Sequence, residues 1–299
     1  MRYAFIQQQA ATMTTKLPVR TMCRLLAVQP SGYYAWTKRA PCRREAGKLQ
    51  LIESIRRVHE RSGGRYGSPR VHQALKKQGV ICSRKLVEKL MRQEQIRSTR
   101  HRRFRIRTTD SNHEHPLADN LLDRQFDQET INQAWASDIT YVATDEGWLY
   151  VASVMDLCSR RIIGWSTAQH LRAELAAEAL MKAIRERCPT EGLLHHSDRG
   201  VQYACAEYRA ILERHGITCS MSRGGNCYDN ASMESFFKTF KVELVYQEHY
   251  ATREEASRSI HPYIEVFYNR QRLHSSLGYR SPAEYEAELG QKRTRRAHS

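Results

Sequence analysis

WASDITYVATDEGWLYVASVMDLCSRRIIGWS, residues 135–166, holds three runs rich in β-branched and aromatic residues, parted by two short polar breaks. The pattern predicts strands over 135–143, 148–157 and 161–166. Breaks this short allow only antiparallel neighbours, so the three form a meander. In the first run, alternation sets Ala136, Asp138 and Thr140 on one face. An ionised Asp on a buried strand is costly unless something answers its charge.

Outward from the meander, residues 173–187 carry apolar side chains at helical spacing: Leu175, Ala176, Ala179, Leu180, Ala183 and Ile184. Short strands are predicted at 192–196 and 217–221, with a helix at 206–215 between them. A Gly-containing loop, 222–230, leads to a long helix from Ala231. Three antiparallel strands followed by helix–strand–helix–strand–helix is the order of a ribonuclease-H-like α/β fold, a mixed five-stranded sheet with helices.

Two more carboxylates fall at telling places. Asp198 directly follows the fourth strand in HHSDRGVQY, and Gly200 lets the chain turn there. Ligands of open α/β sheets collect at the carboxyl ends of strands. Glu234 lies in the first turn of the last core helix. Glu234, Lys238 and Lys241 share one face of that helix, beside an apolar stripe of Phe237, Phe240 and Leu244. Fifty-nine residues separate Asp138 from Asp198, and thirty-five separate Asp198 from Glu234. Clustered carboxylates repel and raise one another's pKa, a penalty that divalent cations remove. Oxygen ligands suit Mg²⁺ or Mn²⁺. Two such ions about 3.5–4 Å apart activate an attacking oxygen and stabilise a leaving one at phosphorus. Asp138, Asp198 and Glu234 are therefore candidate catalytic and metal-binding residues, with Lys238 and Lys241 as DNA-phosphate contacts.

Charge supports a nucleic-acid partner. Residues 1–110 hold 26 Lys/Arg and 6 Asp/Glu, a balance of 26 − 6 = +20. Residues 111–299 hold 22 and 26, a balance of 22 − 26 = −4. A basic module binds phosphate by counterion release. Within it, residues 48–94 predict three helices, broken at Gly63-Gly64 and Gly79. Ser68-Pro69 opens the second and Ser83 caps the third. The third places Leu86, Val87, Leu90 and Met91 inside and Arg84, Lys85, Lys89 and Arg92 outside. That is a helix–turn–helix layout with a basic outer face for the major groove. Residues 97–109 form an Arg-dense arm in which Arg102, Arg103 and Arg105 are candidate DNA contacts. Residues 18–38 read equally well as a second small helix–turn–helix or as a helical hairpin that only packs.

Eight Cys are scattered without C-x-x-C or zinc-finger spacing, so neither a disulfide framework nor a zinc site is expected. His113 and His115 lie in a polar linker. No secretory signal or long apolar run occurs, which points to the cytoplasm and the nucleoid rather than a membrane.

The motifs ITYV, HHSDRGVQY, NCYDNASMESFFKTFKVE and YNRQRLHSSLGYRSP carry a resemblance, joined by MCRLLAVQPSGYYAW and GRYGSPRVHQAL near the amino terminus. Together they resemble the OrfB transposases of bacterial insertion sequences, whose core is shared with retroviral integrases. The resemblance runs over nearly the whole chain. It implies a DDE transposase that cleaves a transposon end by hydrolysis and uses the freed 3′-hydroxyl for strand transfer into target DNA. It also implies terminal inverted repeats as substrates, a homo-oligomer, and an OrfA-type partner or frameshift fusion. The expected organisation is a helical segment at 1–45, a helix–turn–helix at 46–96, a basic arm and linker at 97–125, the catalytic core with its closing helix at 126–285, and a basic tail at 286–299, in which Lys292–Arg296 is expected to be disordered.

Two other classes stay open: a ribonuclease-H-like nuclease acting on hybrids or junctions, and a non-catalytic DNA-binding regulator from a decayed element. The loop at Gly224-Gly225 is either a flap ordered by DNA or a plain connector. In the closing helix, Thr252 and Glu255 make a capping box, and Pro262 should kink or restart the run. Tyr268 and Asn269 are left with support or DNA contact.

Overall fold

The structure is a computed structural model that describes residues 1–12, 17–38, 42–99, 117–224 and 227–297. Its packing divides the chain into two units, Met1–Arg57 and Val58–Ser299. The first contains α1 (Arg2–Thr12), α2 (Val19–Leu25), α3 (Pro30–Lys38) and most of α4 (Arg43–Arg61). Ile6, Met22, Cys23 and Tyr33 form its small buried core. Pro30 starts α3, where its fixed φ suits a first helical turn.

In the second unit, α5 (Ser68–Lys77) and α6 (Arg84–Gln93) pair through Val71, Leu75, Val87, Leu90 and Met91. Ser83 caps α6 by accepting the Leu86 N–H at 3.2 Å. Two local expectations shift. Gly67, not Ser68, is the N-cap of α5, and Leu86 is 40% exposed rather than inside. A hydroxyl at 83 satisfies one of the donors a helix leaves open, so the start of α6 is fixed by its sequence.

The sheet contains β1 (Ala134–Thr144), β2 (Gly147–Asp156), β3 (Ile162–Ala168), β4 (Leu194–Ser197) and β5 (Thr218–Met221) in the order β3-β2-β1-β4-β5. β1 to β3 pair antiparallel, and β4 and β5 join parallel to β1. This is the mixed ribonuclease-H-like sheet expected from the sequence. Between β3 and β4, α7 (Ala173–Arg187) lies directly on the sheet. A Cβ on Gly164 would meet the Ala179 carbonyl at 2.2 Å, so only glycine lets the helix come that close. Trp135, Leu180 and Tyr208 are fully buried in the core beneath it. Short α8 (Val201–Ala204) and α9 (Ala206–Arg214) follow β4.

Helix α10 (Ala231–Glu243) buries Met233, Phe236, Phe237 and Phe240. Helix α11 (Arg253–Pro262) opens with the Thr252–Glu255 capping box. Pro262 does not end the run. Lacking an N–H, it shifts the register, and Tyr263–Gln271 continues as a π-helix. Asn269 has a supporting role: its side chain accepts the Ile162 N–H at 3.0 Å and donates to the Ile162 carbonyl at 2.9 Å. Those bonds close the open edge of β3. Helix α12 spans Pro282–Ala297 and includes Lys292–Arg296, the stretch expected to be disordered. Among the described residues, no helix is long and apolar enough to cross a membrane.

Candidate active site

Asp138 sits midway along β1, and its Oδ1 accepts the N–H of Ile139 at 2.8 Å. Asp198 follows β4 directly, and its Oδ1 accepts the N–H of Gly200 at 2.9 Å. The parallel pairing of β1 with β4 brings both carboxylates to one cleft, lined also by Thr140, Tyr141, Gln202 and Tyr203. Glu234, exposed in the first turn of α10, does not line that cleft. It is near enough to act on it. The Asp138 carboxyl is held well above the usual carboxylate range, first by burial, then by Asp198, and further by Glu234. The Ile139 N–H and Lys241 oppose that rise. Burial also raises Glu234.

The donor set fits hard divalent cations. Two carboxylates line one cleft, and the buried Tyr203 hydroxyl beside them has no hydrogen-bond partner. Among the described residues, however, no three His, Cys, Asp or Glu side chains stand in a ready-made metal-binding group. Cys23, Cys42, Cys82, Cys158, Cys188, Cys205 and Cys219 form no disulfide.

Of the predicted DNA contacts, Lys241 stands over the Tyr141 ring with Nζ 4.3 Å from its centroid. Burial lowers its pKa, partly offset by Asp138. Lys238 is exposed on the same helix. Arg84, Lys85, Lys89 and Arg92 are all exposed on α6, and Arg92 pairs with Glu88 at 3.3 Å. Arg102, Arg103, Arg105, Gly225 and the His113/His115 pair lie outside the described residues.

Sequence reasoning missed the groups that anchor the start of α10. Asp229, read only as part of a loop, is a buried carboxylate that accepts from Asn120, Arg124 and Arg223 at 2.9 Å each. Arg223 in particular drives its pKa far below the usual range. Asn230 donates to the Ser137 carbonyl at 3.2 Å and so ties the start of α10 to β1, one residue from Asp138. His195 and His196 in β4 are fully buried. Burial lowers His195 to about 3 and His196 to about 4. A hint was present in the sequence: two adjacent His in a four-residue strand cannot both face solvent.

Comparison with known proteins identifies the family. The integrase core domain family matches residues 128–227 and 234–289, and an HTH-like domain matches 47–104. An uncharacterized 31 kDa protein of insertion element IS600 from Shigella sonnei is 43% identical over 90% of this chain and 99% of its own length. Transposase InsF for insertion sequence IS3A, from Escherichia coli strain K12, is 40% identical over 96% of this chain and 98% of its own. The chain belongs to the IS3-family transposases. It is a DNA transposase, a polynucleotidyl transferase of the DDE class. Solved structures similar to the transposase include the catalytic core of BIV integrase, at 16% identity and TM-score 0.40 over 55% of this chain and 99% of that one. The HTLV-2 integrase core in complex with magnesium matches at 12% identity and TM-score 0.39, over 53% and 98%.

Proposed function

We propose that Asp138, Asp198 and Glu234 are the catalytic carboxylates of this transposase and that together they hold two Mg²⁺ or Mn²⁺ ions. The observation that carries the reading is the convergence of Asp138 and Asp198 on one cleft through the β1–β4 pairing, with Glu234 near enough to help raise the buried Asp138 carboxyl. Such a cluster is costly until cations neutralise it. Bound there, the ions supply Lewis-acid activation of the attacking oxygen and stabilisation of the leaving oxygen at phosphorus. The chain's own groups do the positioning. The Ile139 N–H orients Asp138, and the Gly200 N–H orients Asp198. Lys241, steadied on Tyr141, meets a nonbridging phosphate oxygen, and Lys238 meets a neighbouring phosphate.

The reaction is hydrolysis at the transposon end, followed by attack of the freed 3′-hydroxyl on target DNA. In each step one P–O bond forms as another breaks, with no covalent enzyme intermediate. The exposed cations of α6 supply contacts to the terminal repeats, with Arg102, Arg103 and Arg105 extending the footprint. A homo-oligomer brings two ends together, and an OrfA-type partner completes end recognition in the cytoplasm. A hybrid- or junction-specific nuclease would use the same core. It would cut without joining.

A disintegration assay tests the proposal. Purified protein is given a branched DNA that mimics the strand-transfer product, with Mg²⁺ or Mn²⁺. The expected result is metal-dependent resolution into rejoined target and free end, lost in Asp138→Asn, Asp198→Asn and Glu234→Gln. Cleavage without rejoining would favour the nuclease. Full activity in any of the three variants would remove that residue from the site.

A further inference from the structure

The helix that carries Glu234 is gripped at its other end. Glu243, the last residue of α10, is 6% exposed, and Arg272 is 5% exposed. Arg272 donates to the Glu243 carboxylate through Nε at 2.8 Å and Nη2 at 2.9 Å. The Tyr263 hydroxyl donates to the same group at 3.1 Å. Arg70 Nη1 of α5 stands 3.6 Å from its other oxygen.

The residues just before and inside α5 complete the grip. The Tyr66 hydroxyl donates to the Gln271 carbonyl and accepts the Leu273 N–H, both at 3.0 Å. Arg70 Nε donates to the Leu273 carbonyl at 2.9 Å. Arg65 Nε donates to the Glu243 carbonyl at 2.9 Å, and its guanidinium lies 4.5 Å from the Phe267 ring centroid. That carbonyl is one of those a helix leaves open at its carboxyl end. Two motifs about two hundred positions apart, RYGSPR at 65–70 and NRQRLH at 269–274, thus meet at the base of the catalytic helix.

This joint is unlike the surface contact of a tethered module. A buried carboxylate and its buried guanidinium partner tolerate little sliding, because each displaced hydrogen bond strands a desolvated charge. Glu234 and Glu243 stand on one 13-residue helix, nine residues or about 13–14 Å apart. Movement of α5 is therefore passed to the helix that holds Glu234.

We propose that Tyr66, Arg70, Glu243 and Arg272 are positioning residues that lock the α5–α6 pair to the catalytic helix. A duplex held on the basic face of α6 then enters the carboxylate cleft at one distance and one angle. The inference rests on the reading of α6 as a DNA-binding helix and of the cleft as the active site.

Two measurements on the full chain test it, in wild type, Tyr66→Phe and Arg70→Met. Both variants spare the Glu243–Arg272 pair, and thermal melting checks that they fold. The first measures the distance between spin labels on unnatural ketone side chains at Lys89 of α6 and Glu178 of α7, both exposed. A single narrow distribution is expected in wild type and one at least twice as broad in the variants. The second measures KM and kcat for disintegration of branched DNAs with a short or a long duplex arm. Rigidly linked sites gain from binding together. Wild type should show a KM several-fold lower on the long arm. The variants should lose that gain while keeping kcat on the short arm within about twofold. Narrow distances in the variants, or an intact arm-length effect, would overturn the lock. If wild type resolves no branched DNA, the active-site reading fails instead, and the label distances alone decide the lock.

Discussion

The two ends of α10 hold the same side chain in opposite circumstances. Glu243 is buried and met by Arg272, Arg70 and the Tyr263 hydroxyl. Glu234 is exposed, forms no ion pair among the described residues, and adds its charge to that of Asp138. Asp229 belongs with the first kind, Asp138 with the second. Acids whose charge the protein matches are parts of its frame. Acids it gathers so that their charges add are suited to something from outside, which for this cleft we propose to be a divalent cation and a phosphodiester.

That contrast is broken most directly at Asp138. Asp138→Asn should reduce strand joining by roughly 10²–10³-fold or more, as should chelation of metal from wild type. Its effect on stability should have the opposite sign. The folded pKa of Asp138 is raised, so at neutral pH its ionised form disfavours the metal-free fold, and the amide relieves that cost. Calorimetry without metal should therefore find a higher Tm for the variant. Added Mg²⁺ should raise the Tm of wild type and leave the variant unmoved. A lower Tm in metal-free Asp138→Asn would put Asp138 among the frame acids. Glu243→Gln should go the other way and lose about 3–5 kcal/mol in urea unfolding, because Arg272 is left buried without its counter-charge. A neutral result there would erase the difference between the two ends of the helix.

Much of this was legible in the sequence because strong local rules applied. Runs rich in β-branched and aromatic residues marked β1 to β3, and the capping groups Ser83 and Thr252 marked helix starts at the observed places. Asp138 and Asp198 were readable because a strand and a strand end leave few directions for a carboxylate. What stayed hidden depends on distant pairing. Nothing near Asp229 says that Arg124 and Arg223 converge on it, and nothing near Tyr66 says that it meets Leu273. The π-helical run is another such case. Pro262 signals a break, but burial of Tyr263, Ile264, Phe267 and Tyr268 keeps the chain wound. Another distant pairing lies at the start of α12, where Glu286 meets Arg161 at 2.9 Å and Arg187 at 2.5 Å.

A pH series separates frame from site more gently. His195 and His196 have folded pKa values of about 3 and about 4, below the unfolded value of about 6.5. A depressed histidine binds its proton only on unfolding. The stability it lends is complete above about pH 6.5 and falls as pH drops toward 4, on the order of 1 kcal/mol per unit for each ring. Asp229, also depressed, adds a second loss below about pH 4. Urea midpoints between pH 7 and 4.5 should decline in wild type and decline less steeply in His196→Gln. Parallel curves would mean that other groups carry the acid response.

The smallest expected effect sharpens the contrast at the DNA-binding end. Among the described residues, Arg84, Lys85 and Lys89 are exposed cations of α6 that form no ion pair, whereas Arg92 already has Glu88. If α6 lies against phosphate, each lost contact should flatten the slope of log affinity against log salt by about 0.9. Lys85→Ala and Lys89→Ala should each do so, with turnover of bound branched DNA unchanged. Arg92→Ala should have less effect, because Glu88 offsets its charge. Arg102, Arg103 and Arg105, substituted together, test whether the footprint runs on beyond α6. Should the α6 variants keep the full slope while the arm variant loses it, the arm holds the duplex, and the fixed joint beneath α5 would orient a helix that does not touch DNA.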